Sequence, residues 1–178
     1  MSVPSVPSSL ALLPLALLLC QCSPRTAAPP ARIEPAATPA LAAPYGFDIA
    51  LALSPKARAL LAARKEKVVA AAMYYGSPNA AGKAKADEVG QIDMGADRPQ
   101  ADAVDGTIHI TGSGLDKSAL GDIDGEPMVL VNVYSARLSG PDNLLDCGIF
   151  EDTIRKARAA PVAIACKLID EGDMPARP

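Results

Sequence analysis

His109 is the one histidine of the chain, and it lies in Thr107-Ile108-His109-Ile110-Thr111. An imidazole beside a hydroxyl and a carboxylate is the raw material of nucleophilic hydrolysis. Ser113 stands four residues on, in Gly112-Ser113-Gly114, and aspartates are abundant. Against this hydrolase reading, the serine lacks the full G-x-S-x-G spacing of a nucleophile elbow. The period of the segment puts His109 on one strand face with Thr107 and Thr111, opposite Ile108 and Ile110, so an exposed strand-face histidine is the plainer reading. Asp122, Asp124 and Glu126 cluster around Gly125 and offer hard oxygens to calcium. They do not follow the EF-hand spacing, and acidic turn residues account for them. Glycine-rich phosphate loops are absent from the sequence, and no cofactor is expected. Arg137 and Asn143 remain as ligand-binding candidates, in the turn after the strongest strand. Asn143 also has a structural reading, since Asn and Asp side chains close turns by bonding to backbone.

The other reactive groups are cysteines. Cys20 and Cys22 fall in the N-terminal leader, and Cys147 and Cys166 in the later sequence. In an oxidising compartment the later pair is expected to form a disulfide across a loop of about twenty residues, worth roughly 3 kcal/mol on the chain-entropy estimate. Two buried free thiols are the alternative. One His and two Cys are too few ligands for a structural zinc site.

These residues need a scaffold, and the hydrophobic periods describe one. Phe47–Leu53 alternates Phe47, Ile49, Leu51 and Leu53 on one face, a half-buried strand. Ser54-Pro55 then supplies a helix N-cap and a proline at the first helical position, and Ala57, Leu60 and Leu61 form a short apolar stripe. From residue 65 to 75 two readings compete. Ala70, Ala71 and Ala72 favour continued helix, whereas Val68-Val69 and Tyr74-Tyr75 favour a strand. The strand over 68–75 is preferred, with the helix ending near Arg64 and a turn at Gly76-Ser77-Pro78-Asn79. Val89–Met94 and Thr107–Thr111 read as short strands separated by a polar stretch. Pro127–Cys147 is the centre of the pattern: Val129, Val131 and Val133 alternate with Leu130, Asn132 and Tyr134, and a turn cluster precedes a second apolar run, Leu144–Phe150. This reads as a hairpin, or at least as two consecutive strands. A brief helix over Asp152–Ala159 and a last strand within Pro161–Ile169 complete the chain. The expected fold is mainly β, a single small β-sandwich with one short helix. An OB-like five-stranded barrel is the alternative.

Three segments follow from composition: a signal segment over 1–22, a Pro/Ala-rich disordered linker over 23–44, and a β-rich globular domain over 45–178. Leu10–Leu19 is about ten residues long, too short to cross a bilayer of roughly 30 Å but suited to the apolar region of a secretory signal. The region before it carries no Lys or Arg, a departure from the usual signal. The segment Leu19-Cys20-Gln21-Cys22-Ser23-Pro24 resembles a lipobox, with Cys22 preferred over Cys20 as the lipidated residue. Its departure is the missing small residue before the cysteine, and a plain signal cut near Ala27 or Ala28 stays open. The prolines from Pro24 to Pro44 suit an extended tether.

The 178 residues carry a formal net charge of −3, which argues against nucleic-acid binding, because phosphate contacts need a basic stripe. Phe, Tyr and Trp make up 3% of the chain, so the core must rest on Val, Leu, Ile and Ala. Charge is uneven. Asp87 to Glu126 holds ten acidic residues against Arg98 and Lys117, and the preceding span from Lys56 to Lys85 is basic. Solvated loops and strand edges are the plain explanation of both.

Several short stretches are similar to a group of uncharacterised bacterial envelope proteins often labelled lipoproteins. They are Phe47-Asp48-Ile49, Leu53-Ser54, Tyr74-Tyr75-Gly76, Asn132–Arg137, Asp142–Cys147 and Cys166–Ile169, within residues 46–171. The resemblance implies an exported single domain and supports the strand reading of 68–75. It implies no activity. The expected function is therefore a non-enzymatic binding or structural module in the periplasm or cell envelope, membrane-tethered if lipidated. Its partner would be an envelope protein or a small ligand. The alternatives are a hydrolase using His109 and an assembly factor that binds a partner by strand addition.

Overall fold

The run Phe47–Leu53 forms strand β1, and Ser54 ends it by capping helix α1 (Pro55–Ala63), its side chain accepting from the Ala57 amide at 3.0 Å. The structure is a computed structural model, and it describes residues 44–172. Beyond α1 come β2 (Lys67–Pro78), β3 (Ile92–Asp97), β4 (Gln100–Asp102), β5 (Gly106–Ile110), β6 (Ile123–Ser135), β7 (Leu145–Cys147) and β8 (Phe150–Thr153). Helix α2 (Ile154–Ala159) and β9 (Val162–Leu168) finish the order. Short 3-10 turns cover Lys83–Lys85, Lys117–Asp122 and Ile169–Glu171.

The strands form two sheets, and neither closes into a barrel. One has the order β5–β1–β9–β7 and the other β3–β2–β6–β8, with β4 joined to β2 beside β3. All pairings are antiparallel except β1 with β9, the first and last strands, which run parallel side by side. This is the expected sandwich. The OB-like barrel is not formed.

One core lies between the sheets. Ile49, Leu51, Ile110 and Ile164 face it from the four-stranded sheet, and Val68, Ala70, Ala72, Tyr74, Val129, Val131 and Val133 from the other. Helix α1 contributes Ala57 and Leu61, and α2 contributes Ile154 and Ala157. Because α2 touches β6 and β8 as well as β1, it closes one end of the sandwich.

The strand reading of 68–75 holds. Each core-facing alanine of β2 stands opposite a valine of β6: Ala70 with Val133 and Ala72 with Val131. Cross-strand packing of this kind outweighs the weak strand preference of alanine. The segment Gly76–Pro78 continues β2 rather than turning, because Ser77 and Pro78 still pair with Asp124 and Ile123. The expected strand over 89–94 is displaced to Ile92–Asp97, and β4 arises inside the stretch read as polar loop.

The expected hairpin at Pro127–Cys147 is not formed. Strand β6 belongs to the five-stranded sheet and β7 to the other, so the turn crosses between layers. Side chains anchor that crossing. Asn143 Oδ1 accepts from the Ser135 amide (3.0 Å) and the Leu145 amide (3.1 Å), and its Nδ2 donates to the Leu145 carbonyl (2.7 Å). From the α1–β2 junction, Glu66 accepts from the Leu138 amide (3.0 Å), the Ser139 amide (2.8 Å), the Ser139 hydroxyl (2.7 Å) and the Lys67 amide (3.0 Å).

Glu66 is only 5% exposed. Burial by itself would raise its pKa, but the hydrogen bonds from Ser139, Leu138 and Lys67 outweigh that and bring it from 4.5 down to about 2. A carboxylate with a depressed folded pKa contributes stability that is full above the unfolded value and lost as pH falls toward the folded one. That contribution is on the order of 3 kcal/mol. Cys147 and Cys166 are directly opposite in the β7–β9 ladder and are joined as a disulfide.

Two predictions follow from these anchors. In urea titrations Glu66→Gln should cost about 2–3 kcal/mol at pH 7, and its gap from wild type should narrow as pH drops from 4.5 toward 2. A gap that does not vary with pH would remove the carboxylate from this role. Replacing both Cys147 and Cys166 by Ala should lower stability by roughly 3 kcal/mol in the same assay. A loss below about 1 kcal/mol would mean that the three-residue β7 is held by its packing.

Candidate functional site

His109 stands on the outer face of the four-stranded sheet, where its register partner on β1 is Asp48. Nδ1 lies 2.8 Å from Asp48 Oδ1, and the two side chains are 59% and 47% exposed. The pair borders a hollow of about 260 Å³ with Arg158 and the chain from Ala157 to Pro161. Ser113 does not complete a catalytic set with it. The Ser113 hydroxyl is bonded to Thr111 Oγ1 (2.7 Å) and Asp97 Oδ1 (3.2 Å). Asp97 also accepts from the Tyr74 hydroxyl (2.7 Å), the Thr111 hydroxyl (3.2 Å) and the Gly114 amide (3.1 Å). Burial first, then the Asp97 carboxylate, pushes the Tyr74 pKa far up. Tyr74 therefore stays a donor, and the cluster ties β2 and β3 to the 111–114 turn.

The acidic residues near Gly125 are mostly spent on ion pairs. Asp122 meets Lys85 at 2.6 Å and Glu126 meets Arg155 at 2.8 Å. Among the described residues no group of three His, Cys, Asp or Glu is placed to hold a metal.

Arg137 and Asn143 are not brought together. Arg137 is exposed, with φ 62°, and its guanidinium lies over the Tyr134 ring at 6.0 Å. Asn143 holds the inter-sheet crossing and borders a different hollow, of about 290 Å³, beside Leu60, Arg64 and Leu168. Cys20 and Cys22 lie outside the described residues, as do the signal segment and all of the linker but Pro44. Among the described residues no helix is long and apolar enough to cross a membrane.

A larger hollow, of about 380 Å³, opens on the outer face of the five-stranded sheet. A β-bulge shapes it. Met73 pairs with Ala96 and Tyr75 with Asp93, so β3 has one residue more than β2 between those two pairs. The extra residue is accommodated at Gly95, whose φ is +88°, a left-handed conformation that glycine adopts without a steric cost. A Cβ there would also stand 2.3 Å from the Gly114 carbonyl oxygen.

Met73, Tyr75 and Leu130 line the hollow. Met73 and Leu130 are register partners, and Tyr75 pairs with Met128. All four are half-buried. Three carboxylates surround them. Asp87 Oδ1 accepts from the Val89 and Gln91 amides (3.0 and 2.9 Å), and Asp93 Oδ1 accepts from the Gly95 amide (2.8 Å). Glu151, opposite Leu130 on β8, accepts from the Tyr75 hydroxyl. Burial and then the Glu151 carboxylate push the Tyr75 pKa up to about 12, so this hydroxyl remains a donor well above neutral pH.

Apolar side chains here lie beside acceptors held by backbone amides and the Tyr75 hydroxyl, a lining of the kind that binding sites share. No local sequence pattern pointed to this hollow. The nearest signal was a glycine inside a strand-like run, which marks bulges and close backbone approaches. The chain matches no protein-family model, no curated protein and no solved structure.

Proposed function

We propose that the protein is an exported, non-enzymatic binding module of the cell envelope, held at a membrane through Cys22 and a Pro/Ala tether. The observation that carries the binding reading is the outer face of the five-stranded sheet. Met73, Tyr75, Met128, Leu130 and Tyr134 stay half-buried there, and Met73, Tyr75 and Leu130 line a hollow at the Gly95 bulge. The outer face of the other sheet differs: it presents Asp48, Ala50, Thr107, His109, Ala163 and Ala165, which are small or polar. The export reading rests on the leader, and the Cys147–Cys166 disulfide is compatible with it, since such bonds persist in oxidising compartments. Strand addition is the second reading. It is favoured by β5, an edge strand of its sheet, which presents Thr107 and His109 on its exposed face.

Photo-crosslinking in the native host separates the two. A photoreactive residue at position 130 should yield a defined adduct, and one at position 107 should not. The reverse pattern would favour strand addition, and silence at both positions would overturn binding through either surface. For anchoring, the intact mass of the protein from its envelope should show a lipid-sized increment on Cys22, whereas a mature N-terminus near Ala28 would refute the tether.

A further inference from the structure

The half-buried face around Met73 and Leu130 carries an excess of negative charge. Asp87, Asp93 and Glu151 line its hollow together with Arg98, so three carboxylates against one guanidinium leave two negative charges in excess. Among the described residues none of the three carboxylates has a cationic partner within 4.0 Å, whereas six other carboxylates, from Asp48 to Asp146, each have one. The same face runs past the hollow. On β6, Met128, Leu130, Asn132 and Tyr134 point the same way over seven residues, roughly 20 Å at the rise of a strand, with the Arg137 guanidinium over the Tyr134 ring at its far end. That length suits an extended chain better than a compact small molecule.

We propose that this face docks a basic, apolar-containing segment of a partner protein. Its Lys or Arg side chains would meet Glu151, Asp93 and Asp87, and its apolar side chains would lie on Met73, Leu130 and Met128. The proposal rests on the binding reading above and adds the chemistry of the partner. Charge complementarity selects it. A second copy of this chain would set the same carboxylates against each other across a two-fold axis. Tyr75 adds an aromatic ring to the hollow, and the face of such a ring attracts an ammonium or guanidinium.

The test uses the full-length chain and three fluorescein-labelled peptides of about ten residues, alternating Lys/Leu, Glu/Leu and Lys/Ser, followed by fluorescence anisotropy. The Lys/Leu peptide should bind. The combined variant Asp93→Asn, Glu151→Gln keeps both acceptor oxygens and should weaken it about tenfold, with a smaller salt dependence. Asp124→Asn, a charge removed outside the hollow, should leave binding unchanged. The Glu/Leu peptide should not bind, and Lys/Ser should bind more weakly than Lys/Leu. Equal binding of Glu/Leu, or no effect of the double variant, overturns the basic partner.

Leu130→Asn keeps the two failures apart. If it alone weakens binding, the face is used but not for a cation, and if neither variant matters, the binding face itself is wrong. Displacement by spermidine beyond the effect of NaCl at equal ionic strength would replace the segment with a small cation. A wild-type dimer that Leu130→Asn dissociates, seen by light scattering, would replace it with a second copy. Matching thermal melts of the variants and wild type confirm that each is folded.

Discussion

The pairing of β2 with β6 is the contact on which the rest of the structure depends. Ten residue pairs join these two long strands, and the remaining strands of their sheet attach to one or the other. The inner face of the pair fits small side chains against large ones, Ala70 and Ala72 opposite Val133 and Val131. This lets a chain poor in aromatic residues fill its core with aliphatic groups. The outer face of the same pair presents Met73, Tyr75, Met128 and Leu130. Core and candidate site are thus opposite sides of one ladder, and the strict two-residue alternation of side chains assigns each residue to one or the other.

The two layers are linked by a few specific contacts. Helix α1 carries the chain from β1 to β2, and at its end the buried Glu66 collects the amides of the loop that returns from β6 to β7. A buried carboxylate is costly unless its oxygens are satisfied, and here it receives four hydrogen bonds. The disulfide fixes the far side of that crossing to the last strand, and the parallel contact of β1 with β9 brings the two ends of the domain together.

The asymmetry of the two outer faces connects this architecture to function. One sheet shows alanines and a solvated His109–Asp48 pair. The other shows apolar side chains beside carboxylates whose oxygens are oriented by nearby amides and by the Tyr75 hydroxyl. Acceptors fixed in this way lose little freedom when a donor arrives, and that is a property of recognition surfaces. The bulge at Gly95 links the two requirements, since it opens the hollow while keeping β3 in the sheet.

The sequence by itself determined the strands whose apolar residues alternate, among them β1, β6 and β9, the helix start at Ser54-Pro55 and the mainly β class, and it favoured the two-sheet arrangement and the pairing of Cys147 with Cys166 over a barrel and free thiols. Each of these depends on a local period, a cap or a short list of partners. The tertiary structure decided the rest. Whether residues 68–75 would be strand depended on the valines of β6 across from the alanines, and no window of neighbouring residues contains them. The role of Glu66 was not legible locally, because its partners, Leu138 and Ser139, are more than seventy residues away. Within Leu144–Phe150, Leu145–Cys147 crossed to the other sheet because Glu66 and Asn143 hold the turn between layers, and Phe150 returned to pair with Val131 of β6, contacts invisible to strand periodicity. The hollow eluded the sequence for the same reason: Gly95, Leu130 and Glu151 are distant in the chain, and only the register of four strands, β3, β2, β6 and β8, brings them to one face.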